Sequence, residues 1–397
     1  MTSVKSNAFT LPYTFFREPA TKVISELKNN GLTGINLALN YHASRDFLLR
    51  QGPQLEYLSD GFHYYKVDKT KYPTGAIIPA DSDQLPSNQL LENIISEANQ
   101  QDFEVNAWAV YMHNSAIGMT NPQTTVTNAF ENKFLSELCP VNKTVQGYAI
   151  GITNDLASRG VKSIMAESLH FHGARHGEHH ERFFMELSPV TEFLYSLCFC
   201  QDCKGNFAGN VDALVEKVKS KLQIVFDNKD PWLGKHLTKE LLAEILGPEI
   251  LDYLTARESA VADLYQKVVS IAHDSGVKFK YEDQSPLLDT NSAKTLDRSW
   301  ELGIDNQKIS KIVDSYEPLI YRTTPEAVAA LANSYLKDIS VPVSAILRPT
   351  FPDCTEEQNL IEKVKALKDL GINEIDFYLL DTFRPRDLIW IKKALES

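Results

Sequence analysis

The chain has 397 residues, of which 43% are hydrophobic and 10% aromatic, and it carries a formal net charge of −12. This composition provides a full hydrophobic core and excludes an intrinsically disordered protein. The acidic balance, with no Lys/Arg-rich stripe, argues against nucleic-acid binding, because neutralising phosphates requires clustered cations. An acidic small ligand would need its own local Arg or Lys.

The first twenty residues contain no long apolar segment followed by a small-residue cleavage site, and no stretch approaches about 18 consecutive apolar residues. We therefore expect a cytoplasmic protein with no membrane partner, either as a single chain or as a homo-oligomer. Three of the five cysteines lie between Cys198 and Cys203. Such crowding in a long chain is not typical of a disulfide framework.

Short β-rich runs alternate with helical runs from one end of the chain to the other, and many of the helical runs end at Gly. This order predicts one (β/α)8 TIM barrel over 1–397. An open doubly wound sheet would require a Gly-rich phosphate turn after the first strand, and none is present. The predicted strands are 9–15, 33–41, 104–112, 161–169, 277–283, 317–323, 341–350 and 374–381.

Two segments are longer than a barrel loop needs to be. Residues 43–86, rich in aromatic residues and proline, follow the second strand and predict a long ordered loop or a small β excursion over the barrel mouth. Residues 170–275 follow the fourth strand and contain a His-rich stretch, a Cys cluster and a helical block over about 211–273. We interpret both as insertions in one domain.

The cysteines at 198, 200 and 203 form a C-x-C-x2-C motif. Thiolates at this spacing can converge on one tetrahedral zinc ion, and a structural site needs a fourth ligand. Cys139 is the best candidate and Cys354 is an alternative. The motif predicts a structural zinc that pins the long insertion to the barrel wall, against the alternative of free buried thiols.

This arrangement resembles the zinc-bearing β-galactosidase-like glycoside hydrolases. The shared features are Glu167 at the end of strand four, the three clustered cysteines and Cys139 upstream, and they cover the first half of the barrel. The resemblance implies a barrel, a zinc site and a glycosidase. The residue before the strand-four acid is usually Asn in that group and is Ala166 here. The group's nucleophile, a Glu that ends strand seven, is absent, because this strand ends at Arg348.

Carboxylates at strand ends are the candidate catalytic groups, because barrel active sites form at the carboxyl ends of the strands. Alternation along strand four predicts that Met165, Glu167 and Leu169 face the barrel axis. On strand five, Glu282 would face inward, and Asp283 at the rim could serve in its place. The alternatives are a structural ion pair for Glu167 and a bridge between Glu282 and Lys280. Two such carboxylates could act as the pair of a glycosidase, retaining or inverting.

The His-rich stretch has three interpretations. A catalytic metal site is disfavoured, because strands one, five and six lack the histidines that metal-dependent barrel hydrolases use. For His170 and His172 we favour hydrogen bonding to sugar hydroxyls. The remaining histidines of the stretch, His176, His179 and His180, are interpreted as solvent-facing.

Other strand ends provide polar and aromatic side chains suited to a sugar cleft. Arg348 could bind a carboxylate or sulfate on the substrate, and Trp108 could equally belong to the core. The further candidates for substrate binding are His42, His113, Asn114, Tyr321 and Asp381.

Together these features predict a glycoside hydrolase that cleaves an oligosaccharide with paired carboxylates, with zinc in a structural role. One alternative is a metal-dependent hydrolase or sugar isomerase that uses the histidines. The other is a carbohydrate-binding barrel without catalysis, because a fold does not determine a reaction.

Overall fold

The computed structural model of the protein describes residues 4–50, 52–175, 182–293 and 295–397. Eight parallel strands surround a common axis in the spatial order six-five-four-three-two-one-eight-seven. The backbone of Tyr316 bonds to Pro342 and Ser344 and thereby joins strand six to the segment that leads into strand seven, which closes the barrel. The predicted (β/α)8 barrel is confirmed. Its strands, numbered one to eight below, are Asn7–Thr10, Gly34–Asn40, Glu104–Val110, Ser163–Glu167, Lys278–Asp283, Ser315–Pro318, Ala345–Leu347 and Ile375–Phe377.

Helices follow the strands and cover the outside of the barrel. Several end at a glycine with positive φ, for example Gly31 (φ 86°) and Gly160 (φ 87°), where a side chain would be strained. The α-helix that follows strand five, Asn306–Ile309, is short and is preceded by the 3-10 helices Ser285–Leu287 and Thr295–Leu302. The other outer helices are Ala20–Asn29, Leu90–Gln100, Lys143–Ala157, Glu249–Asp274, Pro325–Asp338, Glu357–Asp369 and Pro385–Glu396.

Several predicted strands extend too far at their carboxyl ends. Strand one was expected over 9–15, but the chain turns into the short helix Tyr13–Arg17 after Thr10. Strand seven, expected over 341–350, pairs as a strand only over Ala345–Leu347. Apolar residues flank the paired segments, for example Leu11 and Phe15 after strand one and Val343 before strand seven. Hydrophobicity alone does not distinguish such positions from strand.

The two insertions have different structures. The first forms a hairpin of Ser44–Leu48 and Gln54–Leu58, which is the predicted β excursion. The second contains the helices Pro189–Ser196, Val211–Asp227 and Lys239–Leu246, which pack with the start of Glu249–Asp274 around their own apolar cluster. No helix in the described part of the chain combines the length and the hydropathy needed to cross a bilayer.

A buried polar layer fills the end of the barrel opposite the mouth. Lys280 on strand five lies 3.3 Å from Glu317 and 2.5 Å from Glu374. The Asp376 carboxylate accepts a hydrogen bond of 2.7 Å from the Asn36 amide. Because Lys280 is committed to these partners, it does not pair with Glu282, and the expected alternative of a Lys280–Glu282 bridge is wrong.

Replacing Lys280 with Met should therefore destabilise the barrel strongly. The substitution leaves Glu317, which is fully buried, and Glu374 without their cation. Removing one partner of a buried ion pair costs about 3–5 kcal/mol in the free energy of unfolding. Urea unfolding measures this cost. The control Lys22→Met, at an exposed lysine that pairs with Glu18, should change it by less than about 1 kcal/mol; an equal effect of the two substitutions would contradict the account.

Candidate active site

Glu167 is the last residue of strand four, and its side chain points into the barrel as predicted. Its neighbour Met165 packs in the inner apolar cluster, whereas Ile164 and Ala166 pack against the outer helices. Ser168 then adopts a positive φ of 59°, which ends the alternation. Leu169 consequently packs in the outer core and does not face the axis, which corrects the sequence-based expectation.

The Glu167 carboxylate is held by two side-chain donors. Trp108, from the neighbouring strand three, donates its indole Nε1–H to Oε2 at 2.6 Å. Gln284 donates its amide Nε2–H to Oε1 at 3.3 Å. Glu167 as a whole residue is 7% exposed, so it is largely desolvated at the mouth of the barrel. Trp108 is therefore both a core residue and a partner of Glu167.

Glu282 on strand five contacts the Gln284 side-chain amide, which also contacts Glu167. Its Oε1 lies 3.5 Å from Gln284 Nε2, and its Oε2 is buried without a hydrogen-bond partner among the described residues. The two oxygens that share the amide nitrogen are consequently no more than about 7 Å apart, a limit that includes the separation of about 5–5.5 Å found in retaining glycosidases. The predicted pairing of strand-four and strand-five carboxylates has this geometric basis.

The surroundings of the two carboxylates raise their pKa values to different extents. Burial raises the pKa of Glu167, while His42 and the hydrogen bonds from Trp108 and Gln284 oppose that rise. Burial also raises the pKa of Glu282, well above its ordinary value, and the negative charge of Glu167 raises it further. The first proton to dissociate from the pair therefore leaves Glu167, and Glu282 keeps its proton.

Substituting Trp108 with Phe should raise the pKa of Glu167, because it removes the indole hydrogen bond that favours the anion. A hydrogen bond to a charged group contributes about 1.5–3 kcal/mol, equivalent to about 1–2 pH units. If Glu167 acts as an anion in catalysis, the acid limb of the pH–activity profile should move upward by this amount. The control Trp390→Phe, on the outer helix Pro385–Glu396, should leave that limb in place. An unmoved limb in Trp108→Phe would contradict the assignment.

Asp283 and Asp381, both predicted site residues, have structural partners instead. Asp283 accepts hydrogen bonds from Ser285 and from Tyr335 on an outer helix, so its carboxylate lies on the outer side of the barrel and does not join the pair. Asp381 accepts hydrogen bonds from the Leu11 backbone and the Thr14 hydroxyl. Burial raises the pKa of Asp381 to about 6, and its oxygens face these donors and not the mouth.

Four histidines form a row across the mouth from strand two to strand four. The ring centroids of His42 and His113 are 4.7 Å apart, those of His113 and His172 are 6.0 Å apart, and those of His172 and His170 are 4.7 Å apart. His170 is fully buried with Nδ1 2.7 Å from the Phe171 carbonyl, so Nδ1 carries a proton. His172 borders a cleft. The remaining predicted histidines, His176, His179 and His180, lie outside the described residues.

The other predicted binding residues divide into those at the mouth and those in the framework. Tyr321 is half-buried at the mouth, and Arg348 lies over its ring at 4.0 Å. Arg348 also pairs with Asp353, so its charge is already compensated. Asn114 is buried and caps the helix Ser115–Thr120, with its Oδ1 accepting from the Ile117 N–H, which removes it from the candidate binding residues.

The four cysteines expected to bind zinc come together. Their Sγ atoms lie within 4.8 Å of one another, and Cys139 is 3.5 Å from Cys203, 3.6 Å from Cys200 and 3.9 Å from Cys198. A regular tetrahedron of Zn–S bonds of about 2.3 Å has edges of about 3.8 Å. Cys354 lies elsewhere, so Cys139 is the fourth member. Within the described ranges, this is the one group of three or more metal-type ligands that converges.

An open cleft of ≈ 490 Å³ lies beside the carboxylate pair, between the segments that follow strands four and five and the helices of the second insertion. Gln284 lines this cleft and also contacts both carboxylates, so it connects the two features. His172 and Arg257 line it as well. Glu167 and Glu282 are not among its walls, which makes the cleft an extension of the mouth rather than its centre.

Gln284 and Arg257 are site residues that were not predicted from the sequence. Gln284 lies two residues after Glu282, so continuation of the strand alternation would have directed it to the same side. Arg257 lies inside the helix Glu249–Asp274, far along the chain from any strand end. Its role depends on tertiary packing, which periodicity does not reveal.

No protein-family model and no curated protein sequence matches the chain. Solved structures do match it in fold. A β-galactosidase from the psychrophilic Marinomonas ef1 aligns with a TM-score of 0.58 at 10% identity, over 99% of this chain and 59% of that chain. The catalytic domain of a β-amylase from Paenibacillus polymyxa gives 0.57 at 9% identity, over 98% and 97% of the two chains.

An endo-1,4-β-mannanase from Rhizomucor miehei aligns with a TM-score of 0.54 at 10% identity, over 99% of this chain and 93% of that chain. The chain spans about three-fifths of the length of the Marinomonas β-galactosidase. At these identities the likeness establishes the fold and not the reaction. The chain has the (β/α)8 barrel architecture that these glycoside hydrolases share.

Proposed function

We propose that this protein is a glycoside hydrolase that cleaves an oligosaccharide with Glu167 and Glu282 as its catalytic carboxylates. The observation that carries the proposal is the pairing of these two groups across Gln284 at the mouth of the barrel. Two buried carboxylates with raised pKa values are costly to maintain without a function. Their different surroundings give the two groups different pKa values, so one can act as an acid and the other as an anion, as glycosidic cleavage requires.

In this proposal Glu282 is the general acid. Burial and the charge of Glu167 raise its pKa, so it holds its proton more firmly than Glu167 does, and it donates that proton to the leaving glycosidic oxygen. Glu167 is the anion, stabilised by the Trp108 and Gln284 donors, and it attacks the anomeric carbon as the bond to the leaving oxygen breaks. Water, which gives its proton to the Glu282 carboxylate, then cleaves the glycosyl ester and frees Glu167. The oxygens of the two carboxylates are at most about 7 Å apart. Retaining enzymes hold their carboxylates about 5–5.5 Å apart, which is below this limit, whereas most of the range of about 6.5–9.5 Å in inverting enzymes is above it. We therefore propose retention of anomeric configuration.

The surrounding side chains suit a sugar. Tyr41, Tyr321 and Tyr378 provide ring faces and hydroxyls near the carboxylates, and the Tyr41 and Tyr378 hydroxyls are 3.4 Å apart. Aromatic faces stack on the C–H surfaces of sugars, whereas imidazoles such as His42 and His172 bond to hydroxyls. Among the described residues, the four histidines of the row do not converge on one point as metal ligands would.

Hydrolysis of a panel of α- and β-aryl glycosides and plant and microbial oligosaccharides tests the proposal. The wild type and the control variant Glu362→Gln, at an exposed outer-helix residue, should both release product. The double variant Glu167→Gln/Glu282→Gln should not. Wild-type activity should survive EDTA, in contrast to a hydrolase or isomerase with a catalytic metal. Failure of the wild type on the whole panel, or full activity of the double variant, would refute the proposal.

We further propose that Cys139, Cys198, Cys200 and Cys203 bind one structural zinc ion. The near-tetrahedral sulfur spacing supports this assignment. Such an ion would tie the helix Gln201–Gly205 of the second insertion to the segment before the helix Lys143–Ala157. The insertion forms one wall of the cleft, so the zinc would stabilise that wall and would take no part in bond cleavage.

Elemental analysis should find one zinc per chain, and Cys203→Ser should release it. If free metal exceeds the dissociation constant about 1,000-fold, the loss removes about 4 kcal/mol of stabilisation. The midpoint of thermal unfolding should fall accordingly. Cys354→Ser is the matched control, because that buried cysteine lies outside the cluster; it should retain the zinc. Absence of zinc from the wild-type protein would contradict the assignment.

A further inference from the structure

Arg257 is a buried cation in the wall of the cleft. It is 4% exposed and lies in the interior of the helix Glu249–Asp274. Its Nη2–H reaches the Glu301 carbonyl at 3.4 Å, while its Nε and Nη1 have no hydrogen-bond partner among the described residues. The guanidinium lies 4.3 Å from the Phe171 ring centroid and 5.6 Å from that of Phe193. Most of the donor capacity of this side chain is therefore unused.

Two other arginines line the same cleft, and each already has a carboxylate. Arg175 pairs with Glu192 at 2.7 Å, and Arg298 pairs with Glu301 at 2.6 Å. Among the lining residues that the structure describes, Arg257 is consequently the cation in excess.

A nearby carboxylate is also committed elsewhere. Glu258, the next residue in the chain, pairs with Lys239 at 2.7 Å. Arg257 thus faces the cleft without an ion-pair partner in the described chain. A buried guanidinium in that condition is costly unless an anion completes its hydrogen bonds.

From this geometry we infer that the cleft binds the carboxylate of an acidic sugar residue, with Arg257 as the residue that recognises it. The inference rests on the proposed function and specifies the substrate class as an oligosaccharide that contains a uronic acid. Gln284 lines the cleft and contacts both catalytic carboxylates, so a sugar in the cleft adjoins the bond to be cleaved. The planar fork of arginine matches a carboxylate with two parallel hydrogen bonds.

Arg257 replaces the cation that the sequence suggested for this task. Arg348 is compensated by Asp353 and rests on Tyr321. The overall charge of −12 repels acidic ligands, so a local, desolvated arginine is what such a ligand would need. A competing role for Arg257 is to balance the charge of the nearby thiolates Cys198 and Cys203. That role would affect zinc retention and stability but not the choice between neutral and acidic sugars.

Calorimetric binding to the full-length Glu167→Gln variant tests the inference without turnover. The probes are three pairs of trisaccharides, with the gluco, galacto and manno configurations, whose members differ only in carrying hydroxymethyl or carboxylate at C6. One uronate member should bind about 10–100-fold more tightly than its neutral counterpart. Adding Arg257→Gln should reduce that preference to about threefold or less. Arg257→Lys should restore part of it, and the exposed control Arg386→Gln should leave it intact.

The readouts separate this inference from the proposed function. No preference for the uronate in any pair would overturn the inference, and this result needs no Arg257 variant to fold. A preference that persists in an Arg257→Gln protein would overturn it as well. Hydrolysis of neutral glycosides alone would refute the acidic-sugar assignment while leaving the proposed glycosidase in place. Failure to hydrolyse any glycoside would instead refute the proposed function.

Discussion

Glu167→Gln should lower kcat/KM for every glycoside substrate by about 10⁴-fold, the upper end of the effect of a positioned acid or base. Gln has the shape of Glu and still offers an oxygen to the Trp108 and Gln284 donors. The substitution therefore removes the negative charge and the nucleophile with little change in packing. The loss should be equal for substrates with good and poor leaving groups, because both require attack at the anomeric carbon.

The matched control is Glu362→Gln, which removes one carboxylate from the exposed face of the helix Glu357–Asp369 and should retain full activity. Thermal unfolding should show that Glu167→Gln is folded. Relieving a buried charge should leave its stability equal to or above that of the wild type. A loss of less than tenfold in Glu167→Gln would show that another group attacks the substrate.

Glu282→Gln should produce a loss that depends on the leaving group. For aryl glycosides of dinitrophenol, which depart without protonation, kcat/KM should fall less than about tenfold. For oligosaccharides, whose leaving oxygen needs the proton, it should fall about 10²–10⁴-fold. This contrast follows from the assignment of the proton to Glu282, whose Oε2 has no hydrogen-bond partner among the residues the structure describes.

The pH profile of Glu282→Gln gives an independent check. Under the proposed mechanism, wild-type activity requires Glu167 ionised and Glu282 protonated. It should therefore fall on the acid side as Glu167 gains a proton and on the basic side as Glu282 loses one. The variant cannot lose that proton, so its basic limb should disappear for dinitrophenyl glycosides while its acid limb remains. Equal losses for all leaving groups, or an unchanged basic limb, would reverse the roles of the two carboxylates.

The barrel could be predicted from the sequence because the signals for its helices and strands lie within short segments of the chain. Helices end at residues such as Gly31 and Gly160, and strands form over short β-rich runs. Both signals depend only on residues a few positions away in the sequence. Strand ends were less accurate, as the helix after Thr10 shows, because apolar residues at the mouth look like strand. The short helix Asn306–Ile309 after strand five also deviates from the regular alternation.

Site residues could be predicted from the sequence where their position depends on the alternation of side chains along a strand or on a regular spacing. Glu167, Glu282 and the convergence of Cys139 on the C-x-C-x2-C motif all depend on period or spacing. Asp283 and Asp381 could not be assigned in this way, because which side an acid faces at a strand end depends on donors such as Tyr335 and Thr14 that are distant in sequence. Arg257 depends on the packing of a whole insertion against the barrel.

In the proposed mechanism, Glu282 protonates the glycosidic oxygen and Glu167 attacks the anomeric carbon of the same bond. The most direct measurement is a crystal structure of the Glu167→Gln variant with an intact oligosaccharide that the wild type hydrolyses. The account predicts the glycosidic oxygen within about 2.6–3.2 Å of the Glu282 carboxyl and the anomeric carbon facing the amide at position 167. A sugar bound away from both side chains, or one whose glycosidic oxygen faces a different acid, would contradict it.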